Sequence, residues 1–227
     1  MDISQIDLQP VYLTLKLATV TTLVLLIVGT PVAWWLAWTR SRYRVMVEAL
    51  TALPLVLPPT VLGFYLLIIL GVNGIIGIPA QAITGSSLAF TFTGLVIAST
   101  LYSLPFVVQP LQGAFEAVGK SPLEAAWSLG ASKLDAFLTV ASPLALRGYL
   151  TATVLGFAHT MGEFGVVLMV GGNIPGKTKV LSIAIYDHVE VMEYTQAHIL
   201  SGGLLLFSFL TLVIVYAVNR RLPARVA

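Results

Sequence analysis

From Ala49 to Phe115 the chain has no Asp, Glu, Lys or Arg. A soluble domain carries about a quarter of its residues as charges, mostly on its surface, so a run of this length cannot face water. Leu17–Thr39, Gly148–Gly162 and Tyr194–Asn219 are uncharged too. Crossing the hydrocarbon layer as a helix takes about 20 apolar residues, so each stretch can hold one span and the longest can hold two. Charged side chains make up 10% of the 227 residues and apolar ones 57%, at a mean hydropathy of +0.93. The chain reads as an all-α, polytopic transmembrane helical bundle.

Five spans are expected, at about 11–38, 45–70, 94–115, 149–170 and 197–218, in one transmembrane domain over 10–218. Pro54, Pro58 and Pro59 predict a kink or break in the second. The carbonyls so freed need partners, which places that span inside a bundle. Trp34, Trp35 and Trp38 beside Arg40, Arg42 and Arg44 read as indoles at a headgroup boundary. One set of connections holds nine of the twelve Lys and Arg residues: Arg40, Arg42, Arg44, Lys120, Lys133, Arg147, Arg220, Arg221 and Arg225. The other holds Lys16, Lys177 and Lys179. The positive-inside rule puts the first set in the cytoplasm, with the N-terminus outside and the C-terminus inside. A sixth, short or re-entrant helix fits between Lys179 and Glu193. Asp2 and Asp7, ahead of a long apolar stretch, argue against a cleavable signal.

Several classes of function are disfavoured. Without cysteine there is no disulfide, thiolate chemistry or cysteine-ligated metal. A net charge of +2, with no basic run between aromatics, does not suggest nucleic acid. No internal repeat is evident, which counts against a carrier built from inverted halves.

The cytoplasmic loop 116–147 is long beside the other cytoplasmic connection, and long loops usually have a task. Ser121-Pro122-Leu123-Glu124 reads as a capping-box start, and Gly130 as the stop of that short helix. Ser132-Lys133-Leu134-Asp135 starts a second helix by the same logic, with Pro143 at its limit. Two readings fit: a stiff element offering a small Ala-Ala surface to a protein partner, or an amphipathic loop on the headgroups.

Glu124-Ala125-Ala126, Gly130, Val140 and Pro143 resemble the E-A-A-x3-G-x9-I-x-L-P motif of binding-protein-dependent ABC importer permeases. Val140 replaces isoleucine, and Ser142 replaces the leucine before the proline. The resemblance implies a type I ABC importer transmembrane domain, in which Glu124, Ala125, Ala126, Gly130 and Pro143 belong to the joint with a cytoplasmic ATPase. Gly162-Glu163-Phe164-Gly165 and Gly172-Asn173-Ile174-Pro175-Gly176-Lys177-Thr178 are similar to the molybdate and sulfate branch. So are Leu53–Thr60 and Ser103-Leu104-Pro105. The implied assembly has two copies of this chain, two ATPase subunits and an external, periplasmic oxyanion-binding protein, in the bacterial inner membrane among its lipids. ATP and Mg would sit on the ATPase, leaving this chain without a cofactor and not itself an enzyme. Molybdate is the implied cargo, with tungstate and sulfate as alternatives.

Glu163 is an acid within a span, and such residues usually face a cavity or a partner. It lies one helical turn from His159. Gly162, Glu163 and Gly165 are candidates for a gate on the translocation pathway, and a helix-packing hydrogen bond is the plainer role for the carboxylate. An ion-coupled carrier or channel would use His159 and Glu163 as a proton relay. An intramembrane enzyme lacks a recognisable nucleophile and base.

Gly171–Thr178 satisfies the phosphate-loop spacing G-x4-G-K-[ST]. Pro175 has no N–H to offer a phosphate, the chain lacks the parallel strands such a loop needs, and the charge count places it outside the cell. Asp187, His188, Glu190, Glu193 and His198 lack a metal-binding spacing and read as a solvated external helix.

Overall fold

The computed structural model describes residues 7–221. Asp2 and Arg225, which entered the arguments on signal and orientation, lie outside the described residues, as do the side chains of Arg220 and Arg221. In chain order, α1 (Gln9–Trp38) is followed by α2 (Arg44–Val56), α3 (Pro59–Leu70), the short α4 (Gly77–Thr84) and the long α5 (Phe92–Val118). Next come α6 (Ser121–Ser128), α7 (Lys133–Ala136), a π-helical turn at Phe137–Ala141, α8 (Ser142–Leu144) and α9 (Leu146–Gly162). They are followed by α10 (Gly165–Gly171), α11 (Leu181–Glu190) and α12 (Tyr194–Arg221). Among the described residues, α1, α5 and α12 are each long and apolar enough to cross a bilayer. Two bent pairs could supply two more spans: α2 with α3 at 113°, and Lys133–Leu144 with Leu146–Gly162 at 73°.

α1, α5 and α9 form the centre. The buried side of α1 repeats every three or four residues through Leu17, Thr21, Leu25, Gly29, Ala33 and Leu36, the spacing of one helical face. Leu25 and Leu36 pack with Val107, Leu111 and Phe115 of α5 and Ala152 of α9. Small residues bring backbones together where lipid offers no hydrophobic drive for helix association. A Cβ on Gly148 would stand 2.2 Å from the Ala114 Cβ, and one on Gly156 2.7 Å from the Val107 Cγ2. Gly148→Ala must push α9 off α5, and we expect it to cost about 1–3 kcal/mol. Gly113→Ala, with nothing within 4 Å, is the control in a thermal-unfolding comparison.

Prolines inside helices behave unequally. Pro31, Pro54, Pro105 and Pro110 lie within α1, α2 and α5 without ending them. At Pro58-Pro59 the chain turns, because a residue before proline is driven to extended backbone, and here two in succession obey: Leu57 has ψ 136° and Pro58 ψ 135°. The second span is therefore two helices. Its expected burial inside the bundle holds for α3, which buries Gly63, Leu66 and Leu70, while Thr51 is the one buried residue of α2. α2 is tied to α5 by polar groups instead. Arg44 pairs with Glu48 and Glu116 at 2.9 Å each, and Gln112 donates to Glu48 at 2.9 Å.

The indoles also differ from expectation. Trp35 is exposed, but Trp34 and Trp38 pack on each other and Trp34 meets the rings of Phe115 and Phe137 at 5.1 and 5.0 Å. They root the 116–147 loop in the bundle. The short helix for which the sequence left room between Lys179 and Glu193 is α11.

Candidate functional site

The expected fourth span, 149–170, is interrupted. α9 ends at Gly162, Glu163 is extended with ψ 133°, and α10 restarts at Gly165. Glu163 is thus not on a continuous helix with His159, although its Oε1 still lies 3.6 Å from the His159 Nδ1. Two close contacts explain the path. A Cβ on Gly165 would fall 2.9 Å from the Pro59 Cβ, so only glycine lets α10 lie against the start of α3. The freed backbone is also satisfied, as membrane interiors require: the Ser182 hydroxyl of α11 donates to the Glu163 carbonyl, and Leu168 N–H to the Phe164 carbonyl at 2.9 Å.

The Glu163 side chain points into α5 and has no exposed surface. Ser99 donates to its Oε2, and Ser103 donates to its Oε1 at 2.6 Å. Ser103 also lies 2.9 Å from the His159 Nδ1 and 3.1 Å from the Thr160 hydroxyl. Ser103 is twelfth of the 27 residues of α5, which at about 1.5 Å per residue puts the cluster near the middle of that helix. Beside it opens a cleft of about 590 Å³, walled in part by Thr60, Tyr102, His159, Gly162, Phe164 and Met169.

The cluster's chemistry is limited by its geometry. Serine, histidine and glutamate meet, yet Ser103 and Glu163 approach the same imidazole nitrogen, and the serine proton is committed to the carboxylate. A nucleophilic triad needs the base between the other two. A proton relay through Glu163 would need water at a carboxylate that is wholly buried. Sequence reasoning missed Ser99, Ser103, Thr160 and Ser182 as partners. Ser99 and Ser103 share a helical face, but serines in helices commonly bond their own backbone, so spacing did not single them out.

At the end of the bundle that carries the 116–147 loop, α6 to α8 form a compact helix–turn–helix. Ser121 does not cap α6: Gly119, at φ +71°, turns the chain so early that Lys120 is already helical, and the Lys120 carbonyl takes the Glu124 N–H at 2.9 Å. The far end closes as the sequence suggests. Gly130 adopts φ +87°, with Ala131 N–H bonded to the Ala126 carbonyl and Gly130 N–H to the Trp127 carbonyl, both at 3.0 Å. The Ser132–Asp135 capping box has both bonds. Hydrogen bonds from the Ser132 hydroxyl and N–H hold the Asp135 carboxyl below its usual range. Pro143 does not end this stretch. The helical path runs to Leu144 through the π turn, where Ser142 N–H reaches the Phe137 carbonyl. Leu123, Ala136 and Ala141 are buried beneath the element against Trp34, Trp38 and Phe137. Glu124 and Ala125 face outward and Ala126 is half-buried.

On the opposite side, the Gly171–Thr178 loop follows a helix. The Ile174 carbonyl accepts Lys177, Thr178 and Lys179 N–H groups, and the buried Thr178 hydroxyl bonds the Gly171 carbonyl at 2.7 Å. The amides of Gly172, Ile174, Lys177 and Thr178 are already used. Asp187 anchors this loop to α11 through Lys179 and Asn173. Burial pushes its carboxyl up, but those partners outweigh burial and hold it below its usual range. His188 pairs with Glu193 at 2.8 Å, and Tyr186 donates to Glu190 at 2.6 Å. Among the described residues no three His, Asp or Glu side chains form a metal set.

Residues 29–225 match the family described as binding-protein-dependent transport system inner membrane component. Over 220 residues, 97% of each chain, the sequence is 60% identical to the molybdenum transport system permease protein ModB of Azotobacter vinelandii. It is 34% identical to the probable sulfate transport system permease protein cysT of Chlorella vulgaris, over 90% of this chain and 77% of that one. Among solved structures, the inward-facing MetNI methionine ABC transporter matches with a TM-score of 0.72 at 19% identity, over 96% of each chain.

Proposed function

This chain belongs to the family of binding-protein-dependent transport system inner membrane components, with the fold of a type I ABC importer transmembrane domain, and from that premise we propose that it is the permease subunit of a molybdate importer. The observation that carries the cargo is the 60% identity to a molybdenum permease over 97% of both chains. The sulfate relative supports the same class, a tetrahedral dianion, at lower identity. Tungstate shares that chemistry.

In this reading two copies of the chain enclose the path, because five spans are too few to do so and a twofold axis would complete it. The external binding protein delivers the anion to the side of the Gly171–Thr178 loop and α11. Two ATPase subunits, holding ATP and Mg, dock on α6. Glu124, Ala125, Ala126 and Gly130 form that joint and Pro143 lies in the segment behind it. Its stiffness supports the assignment, since a rigid element transmits a displacement that a loose loop would absorb. Gly162, Glu163 and Gly165, at the helix break, form the gate.

The test is co-purification of the ATPase with wild type, Glu124→Arg and Gly130→Pro. Proline cannot adopt the positive φ of residue 130 and distorts the turn after α6, while arginine reverses the charge on its outer face. We expect each variant to lose the ATPase or its stimulation by the molybdate-loaded binding protein. Variants that bind and respond like wild type would remove α6 from the coupling role.

A further inference from the structure

The cleft beside the helix break has no Lys or Arg in its walls. That suits passage of a dianion, because a transit site must bind well enough to be entered and weakly enough to be left. His159 and Glu163 are the wall's acid and base, and they are placed unequally. The carboxylate side chain has no exposed surface, while the imidazole shows 20%.

The hydrogen bonds orient the ring. Ser103 has one proton, given to Glu163 at 2.6 Å, so it turns a lone pair towards His159 and the Nδ1 at 2.9 Å carries a hydrogen. Among the described residues no hydrogen bond engages Nε2, the nitrogen left for the cleft. Phe106, stacked at 3.8 Å between centroids, and Tyr102, at 4.9 Å, hold the ring plane.

We propose that this cleft is a transit site for the tetrahedral oxyanion, with His159 Nε2 as its charged ligand and Glu163 as the buried counter-charge, an inference that rests on the permease reading above. In its imidazolium form the ring donates to Ser103 through Nδ1 and to the anion through Nε2. With Glu163 3.6 Å away, the protonated site has no net charge before the anion enters, so it does not become a trap. The hydroxyls of Thr60 and Tyr102 belong to the same wall and offer neutral donors. The cleft's volume of about 590 Å³ lies within the range of about 300–1,000 Å³ usual for small-molecule sites. The ionisable groups around the ring are Glu163 and Tyr102. The packed elements α1, α3, α10 and α12 bring no Asp, Glu, Lys or Arg except Lys16 in the outer part of α1 and Arg220 and Arg221 ending α12, and His198 lies at the start of α12.

The test uses vesicles holding the complete importer, with binding protein and molybdate outside and ATP within. Molybdate moved per ATP hydrolysed is followed between about pH 6 and pH 8, the range in which imidazole changes charge. In wild type this ratio is expected to fall as pH rises, the behaviour of an anion site whose charged ligand is an imidazolium. His159→Gln, which keeps a donor but cannot carry charge, is expected to lower transport about tenfold, the scale of one hydrogen bond to a charged group, and to flatten the pH profile. Transport at the wild-type level, or a reduced rate that keeps the wild-type profile, overturns the proposal. So does a variant complex that fails to assemble on co-purification, because the ring would then be a packing element. Wild-type vesicles that import neither molybdate nor sulfate would defeat the permease reading instead.

Discussion

Glu163→Leu is expected to destabilise the folded permease by about 2–6 kcal/mol, from two buried hydroxyls that each lose a partner worth about 1–3 kcal/mol. Ser99 and Ser103 are fully buried and both donate to the carboxylate. Leucine fills similar space but accepts nothing, so each hydroxyl must fall back on a carbonyl of its own helix. The loss should concentrate where α9 gives way to α10, since that carboxylate ties the break to α5. Glu163→Gln keeps one acceptor oxygen and should cost roughly half as much. Thermal unfolding of the three proteins in detergent measures the order, wild type above Gln above Leu. A leucine variant as stable as wild type would show that the buried charge costs as much as its bonds return, leaving transport as the reason for the residue.

The second large effect is expected at Leu123. It is 1% exposed and sits beneath α6 among Trp34, Trp38, Ala136 and Phe137. Truncating a buried leucine to alanine costs about 2–5 kcal/mol, and a helix of eight residues has little stability of its own, being shorter than the roughly 12 residues an isolated helix needs. Leu123→Ala should therefore loosen the seat of α6 without altering the outward-facing Glu124 and Ala125. The expected result is an importer that still binds and hydrolyses ATP but moves at least about tenfold less molybdate per ATP, because the push no longer reaches α1 and α5. Measuring hydrolysis and uptake in the same vesicles separates this from lost docking, which would lower both together.

The two sites were legible to different degrees. Gly130 as a helix stop and Ser132–Asp135 as a capping box could be read from residues in order, because both depend on backbone geometry within a few positions. The Ser121 cap failed because Gly119, two residues earlier, turns the chain so that Lys120 is already helical. The seat of α6 was not legible: Trp34 and Trp38 beside arginines look like headgroup anchors until Phe115 and Phe137 are seen to meet Trp34. Glu163 stood out as an acid in an apolar segment, but its partners lie 60 and 64 residues away.

The sequence by itself determined the solvent of this protein, its all-helical class and its charge asymmetry. These follow from local composition, since an uncharged stretch long enough to span lipid must satisfy its backbone within a helix. The consecutive prolines at 58 and 59 also marked the break of the second span, through the backbone restriction each imposes on the residue before it. Only the tertiary structure decided that the fourth span breaks at Glu163, that the carboxylate turns inward to two serines, and that the imidazole beside it is left facing a cleft. Those outcomes depend on which helix faces lie together. Helix packing in lipid is set by the fit of small residues such as Gly148 on Ala114 and Gly165 on Pro59, a long-range steric match that no single stretch of sequence contains.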